Sequence, residues 1–293
     1  MKKIITKSVL MLAAMILSAA ASANKPAYEL YNAKGKSTKY SKLLKEAQKV
    51  DIVLFGELHN NPISHWLQLE LTKDLYGVFG SNLIMGAEMF ESDNALIFGE
   101  YVSGKIRTKN FEAEAKLWPN YKTDIKPLVE FARENELEFI ATNVPRRYAA
   151  SVNLGGFEAL DELDETAKAL MAPLPIAFDP ELPQYKIMAE MMAGHMGNSG
   201  NTNIVKAQAL KDATMAHFIL ENFEPGKVFI HFHGSFHSDF YEGIMWYLLQ
   251  SNPDLRILTI ASTELDDEGN LPDDKKGAAD FILATPQSMT KTH

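Results

Sequence analysis

Two histidines, His59 and His237, each close a Gly-x-x-His segment that follows a run of apolar residues. Gly56-Glu57-Leu58-His59 follows DIVLF (51–55), and Gly234-Ser235-Phe236-His237 follows VFIHFH (228–233). Glu57 lies inside the first segment, and GAEMFE (86–91) adds Glu88 and Glu91. Two neutral imidazoles with one or two carboxylates suit a divalent metal such as Zn, Mn or Fe. The same groups without metal do general acid–base work. The metal set would be His59, Glu88, Glu91 and His237. A hydrolase would use Glu57, His59, Glu88 and His237, with one glutamate acting as base on a metal-bound water. In another role, Glu57 simply braces the turn. The glycines allow a tight turn and a close backbone approach.

These groups need strands to bring them together. DIVLF (51–55), LIMGAEMF (83–90), LEFIATNV (137–144), VFIHFH (228–233), ILTIAS (257–262) and DFILA (280–284) read as buried strands, because β-branched residues recur without helical periodicity. Helical segments separate most of them. Asn60-Asn61-Pro62 supplies caps and a first-turn proline for a helix with Ile63, Trp66, Leu67, Leu71 and Leu75 on one face. The N–H groups opening that helix would favour an anionic ligand group, and His65 is expected on its surface. Asp124 and Pro127 open another helix, through Ala132.

Strand and helix alternating in this way predict an α/β fold with a largely parallel sheet flanked by helices. Residues 145–225 break the rhythm with helical patterns at Phe157–Met171, Tyr185–His195 and Ile204–Phe223. They read as a helical lobe inserted into a core of residues 24–144 and 226–293. Parallel strands end at a common edge, where open α/β sheets place ligands. His59, Glu88, Asn143 and His237 should therefore meet there, with Glu88 nearer to the imidazoles than Glu91. His231 and His233 alternate with apolar residues on the strand before His237, so either can face the site.

Composition narrows the function. MKKIITKS, VLMLAAMIL and Ala21–Ala23 form the basic, apolar and cleavage parts of a secretory signal over residues 1–23. Its removal takes the formal charge from −9 to −12, a poor balance for binding nucleic acid. Cysteine is absent, which excludes disulfides, thiolate metal sites, c-type haem attachment and a lipidated anchor. The expectation is a periplasmic protein exported through the Sec pathway and not lipid-anchored.

The ordered set GELH, GAEMFE, NVPRRYA (143–149), AQALKDATMA (207–216) and GSFH resembles the ChaN-type haem-binding uptake family. That family shares a superfamily with the Tiki proteases and, more distantly, the erythromycin esterases. The resemblance runs from about residue 28 to 262. It implies an α/β core with a helical lobe and haem as ligand, serving haem or iron uptake. Implied partners are an outer-membrane haem-uptake receptor and a second copy of the chain around haem. The Tiki branch implies instead a metal-dependent hydrolytic site at the paired Gly-x-x-His motifs.

Haem sets chemical demands of its own. Ferric iron accepts a tyrosinate, and Tyr148 in NVPRRYA is the first choice. Arg146 and Arg147 beside it can pair with propionates. Met188, Met191, Met192, Met196 and His195 in QYKIMAEMMAGHM (184–196) suit either a deformable wall against a porphyrin or ordinary core packing. His195 and Tyr185 are further ligand candidates. Gln208 and Asp212, four residues apart on one helix, can brace the site.

Overall fold

The computed structural model describes residues 25–196 and 203–293, with the backbone alone for 193–196. The expected signal segment lies outside the described residues. Eight strands form one sheet in the order β2-β1-β8-β7-β3-β6-β4-β5. They are β1 (Glu29–Asn32), β2 (Ser37–Thr38), β3 (Ile52–Glu57), β4 (Leu83–Glu91), β5 (Phe139–Asn143), β6 (Val228–Gly234), β7 (Ile257–Glu264) and β8 (Phe281–Thr285). All pairings among β3 to β8 are parallel. The exceptions, β1 and β2, add antiparallel at the edge beside β8. The sequence reading missed these two, because four and two residues give too short a pattern to stand out.

Both faces of the sheet are covered, which is why its central strands are apolar along their whole length. Val53, Phe55, Met85, Ile230 and Phe232 look toward one helical layer. That layer contains α1 (Tyr40–Ala47), α2 (Pro62–Phe79), α3 (Ala95–Val102), α4 (Thr108–Glu114) and α5 (Lys126–Glu134). Ile52, Leu54, Ile84 and Phe229 alternate with them and look the other way. There they meet α6 (Arg146–Gly155), α9 (Asn203–Asn222) and α10 (Ile244–Ser251). Much of the segment between β5 and β6 is thus one covering layer of the sheet.

Local chemistry sets several element ends. Asn61 accepts hydrogen bonds from the Ile63 and Ser64 amides at 3.0 and 3.2 Å and so starts α2. Those amides are therefore satisfied within the chain, which corrects the expectation that they would hold an anion. The helix expected over Phe157–Met171 is also corrected. A short 3-10 turn at Phe157–Leu160 ends, and Asp164 caps a fresh helix, α7 (Glu165–Lys168), by accepting from the Ala167 amide at 2.8 Å. The last helix of this stretch before α9 is α8 (Pro183–Met196).

Gly86 gives the central strands a measurable packing constraint. A Cβ at that position would lie 2.7 Å from the Phe229 ring and 3.0 Å from His231, both inside the sheet's close-packed face. Gly86→Ala should destabilise the protein by about 1–3 kcal/mol through overpacking. Gly99→Ala, in α3 with nothing within 4 Å of the new Cβ, should stabilise it by roughly 0.5–1 kcal/mol. Urea unfolding of the two variants beside the parent checks the opposite signs.

Candidate functional site

Glu57, the last residue of β3, pairs in register with Gly234 at the end of β6, and β4 flanks β6 on its other side. The ends of three neighbouring strands thus deliver Glu57, Gly234 and Glu88 to one edge. His59 stands two residues past β3, and His237 lies in the single 3-10 turn Ser235–His237 after β6. A Cβ on Gly234 would lie 2.7 Å from His59 Nε2 and 3.7 Å from Glu88 Oε2. Glycine is needed there for close approach and not for a turn, since Gly234 has an ordinary φ of −61°.

Glu88 Oε2 accepts the Gly234 amide at 2.8 Å, and Oε1 lies 3.2 Å from His237 Nε2. The opposite ring nitrogen, Nδ1, donates to Asp212 Oδ1 at 2.5 Å. The Tyr185 hydroxyl donates to the other Asp212 oxygen at 2.9 Å, and the Gln208 amide stands 2.8 Å from Nδ1. Asp212 braces the site through its bond to Nδ1, and Gln208 packs beside the same ring nitrogen. Tyr185, committed to Asp212 and only 2 % exposed, is corrected as a ligand candidate.

His59 has a parallel arrangement. Its Nδ1 is 2.9 Å from Glu57 Oε1, while Gln68 donates to Glu57 Oε2 at 2.7 Å. His65 is buried, not on the helix surface as the sequence implied. Its Nε2 donates to the His59 carbonyl at 3.0 Å, and Asn120 donates to the same carbonyl at 2.9 Å. One signal in the sequence pointed to this layer. Ser64, Gln68 and Thr72 recur every four residues beside the apolar stripe, and all three are fully buried.

Burial opposes a charge on His237, yet the carboxylates of Glu88 and Asp212 outweigh it and lift the imidazole to about 9. Burial pushes Glu88 upward, but the His237 imidazolium, with His59 and Lys211, holds it well below the usual carboxylate range. Burial dominates at Asp212, whose carboxyl sits above its ordinary value despite His237. At His59 burial works downward, and the Glu57 hydrogen bond and the Glu88 charge reverse it to a net rise.

His231 and His233 show burial without a carboxylate in contact. Burial pushes His231 down to about 3 and His233 well below its ordinary value. They form a hydrogen-bonded chain from Thr142 Oγ1 to His231 (2.7 Å), His231 to His233 (3.0 Å) and His233 to Ser238 Oγ (2.8 Å). Neither lines the cavities described below.

The donor set does not suit the expected metal. His237 has both ring nitrogens engaged by carboxylates and offers no lone pair. Glu91 is half-buried and turned to Lys116 at 3.2 Å. Among the described residues, no group of three or more His, Asp or Glu side chains could hold a metal ion. The metal set His59, Glu88, Glu91 and His237 is corrected accordingly.

Two cavities of about 530 and 700 Å³ flank the cluster, and His59, Glu88 and Lys211 line both. Arg146, Asn143 and Trp118 line the first; His237, Gln208 and Met188 line the second. A cavity of about 710 Å³ beside the edge strand β5 contains none of these residues. Asp239 also lines the second cavity, with burial raising its carboxyl to about 7 and one oxygen lacking a partner. It sits in a bend where Phe240 and Tyr241 take φ of 59° and 67°, a conformation that their side chains do not announce.

Of the expected haem residues, Arg146 lines the first cavity and Met188 the second; among the described residues the others line neither. Tyr148 is half-buried and lines neither cavity. Arg147 lies over its ring at 4.5 Å and donates to its oxygen at 3.4 Å, while also pairing with Asp93. Met192 is half-buried on α8, and the side chains of His195 and Met196 lie outside the described residues.

A helix-flanked parallel sheet with two carboxylate-braced histidines at its C-terminal edge is an α/β binding or catalytic scaffold. The family model described as haem-binding uptake, Tiki superfamily, ChaN matches residues 43–248, and the chain belongs to that family. Among solved structures, ChaN of Campylobacter jejuni with cofacial haem is 16% identical at a TM-score of 0.65, covering 87% of this chain and 96% of that one. An erythromycin esterase, EreC, in its open conformation is 11% identical at a TM-score of 0.52, covering 89% and 98%. At these identities both likenesses concern the fold alone. A comparison with curated proteins finds no match.

The buried imidazolium makes a pH prediction. With a folded value of about 9 against about 6.5 unfolded, its stabilisation is fully present below pH 6.5 and fades as pH rises toward 9. The wild-type protein should lose at most about 3 kcal/mol of unfolding free energy across that window. His237→Gln should lack this slope. Urea unfolding at half-unit pH steps, with an NMR titration of the His237 ring, checks it.

Proposed function

We propose that this protein binds haem as cargo in haem or iron uptake, with Tyr148 as the ligand to ferric iron. The observation that carries this reading is the pairing of Tyr148 with Arg147. A phenol oxygen is a hard donor that ferric iron accepts, and Arg147 fixes the ring from above while anchored to Asp93. Family membership and the haem-loaded Campylobacter jejuni relative support it further. Because Tyr148 lies outside the cavities, haem would rest on the surface at α6, where a second copy can cover its other face. Export to the periplasm and delivery from an outer-membrane receptor belong to the same proposal.

A second reading is hydrolysis at the cleft. Its support is that both imidazoles are braced at Nδ1 by a carboxylate, with the His59 Nε2 turned toward Gly234 and the His237 Nε2 at 3.2 Å from Glu88. A neutral His59 can take a proton from water, while the His237 imidazolium, whose two N–H groups are committed to Glu88 and Asp212, acts on a developing negative charge through its field alone. Glu57 holds the His59 ring in place. The donor geometry favours this acid–base version over a metal-dependent one.

Titrating haemin into the mature protein tests the first reading. Wild type should give a broad Soret band with charge-transfer bands of a phenolate-ligated ferric haem, and Tyr148→Phe should lose it with the fold intact. An unchanged spectrum in that variant moves the ligand elsewhere. For the second, wild type should cleave chromogenic esters and His59→Ala should lower the rate by about 10²–10⁴-fold. Absence of turnover in wild type, with metal content measured alongside, counts against hydrolysis.

A further inference from the structure

Five cationic side chains line the two cavities: Lys116, Arg146, Lys211, Lys275 and Lys291. Three of them already have a carboxylate. Lys116 pairs with Glu91 and Asp93, Lys291 with Glu264, and Lys275 lies 3.9 Å from Asp239. Lys211 and Arg146 are different. Among the described residues, neither has a hydrogen-bond or ion-pair partner.

Lys211 is half-buried on α9 and stands at the junction, since it lines both cavities together with His59 and Glu88. Its charge is felt at Glu88, yet the two do not close to an ion pair. A half-buried ammonium facing a cavity without a contacting carboxylate is costly unless water or a ligand meets it. Arg146 enters the same cavity from the first turn of α6 and is exposed at its mouth.

We propose that Lys211 and Arg146 bind the carboxylate or phosphate group of a small molecule seated in the cleft beside His59 and Glu88. A guanidinium fork and a point ammonium together match such an oxyanion. The rest of the 530 Å³ cavity tells what the ligand carries behind its anionic end. Leu117, Trp118 and Pro119 form one wall beside the polar groups of Glu91, Lys116 and Asn143, so behind its anionic end the ligand carries a body with both an apolar face and polar groups. The chain as a whole has a formal charge of −9 and repels anions, so attraction here comes from these two residues. The proposal stands apart from haem ligation by Tyr148 and from hydrolysis.

Trp118 makes the site observable, because its indole lines this cavity and packs edge-on against His59 at 5.0 Å. Inorganic phosphate and acetate are titrated separately into the whole protein at pH 7 and constant ionic strength, following tryptophan fluorescence. At least one should give a saturable change that disappears in the Trp118→Phe control. Lys211→Met should raise the Kd about tenfold, as expected for loss of one charge-assisted contact, and Lys211→Arg should keep binding. Arg146→Ala should weaken it as well. Should Lys211→Met fail to fold by circular dichroism, Lys211→Gln carries the same test.

Haemin added as competitor separates the sources. Displacement of the probe makes haem propionates the anion, and an unaffected probe leaves the cleft to a different ligand. Either result upholds the anion site, and the Tyr148→Phe spectrum reports on haem ligation independently. No saturable change with either anion, or the same Kd in Lys211→Met as in wild type, overturns the proposal.

Discussion

Glu88 is the tie on which the functional edge depends. One carboxylate oxygen takes the Gly234 amide, the other meets His237, and its backbone carbonyl accepts from Asn143 at 3.0 Å. The ends of β4, β5 and β6 are thus joined through one residue that is 4 % exposed. His237 continues the link to Asp212 on α9. Taking charges out of water costs several kcal/mol per ion, and removing one partner of a buried pair costs about 3–5 kcal/mol. The three buried charges persist because Glu88, His237 and Asp212 each meet an opposite charge, while Asn143 Oδ1 is left without a partner. The parallel sheet brings the partners together at its edge, where Glu88 and His237 also line the cavities.

The comparison of His231 with His237 shows which effect decides the state of a buried imidazole. Both lie on or just past β6, and both are shielded from solvent. Burial prevails at His231, which ends near 3. Two carboxylates in contact prevail at His237, which ends near 9. As neutral rings, His231 and His233 each have one proton to give, so their chain must run in one direction between Thr142 and Ser238. One short stretch of chain therefore holds a rigid neutral pair and, four residues past His233, a fixed cation.

Much of this edge was legible in the sequence. The buried strands announce themselves as apolar runs, and their parallel order brings His59, Glu88 and His237 to one place. Glu88 and Glu91 lie three residues apart on β4, so strand alternation sends them to different surroundings. Less legible was what lies behind the motifs. His65, Gln68, Asn120 and Asp124 are polar residues that composition assigns to surfaces, and they are buried because Glu57 and the His59 carbonyl need partners. Asp212 was legible as a brace, but not its bond to the far side of the His237 ring, because only tertiary packing of α9 brings the two together. The bend at Phe240 and Tyr241 had no signal, as neither residue favours a positive φ.

The start of α6 relates the two sites proposed above. Arg146 and Tyr148 are two positions apart, which turns their side chains about 200° from one another around the helix. Arg146 accordingly lines the cleft, while Tyr148 packs toward the opposite hydrophobic layer with Arg147 over its ring. A ligand on the phenol and a ligand in the cleft would touch different sides of the same helical turn. That turn begins just after Asn143, which is fastened to Glu88. The braced histidines follow β3 and β6 and the phenol stands on α6, and the bond from Asn143 to the Glu88 carbonyl is a direct hydrogen-bonded link between the histidine cluster and the residues that lead into that helix.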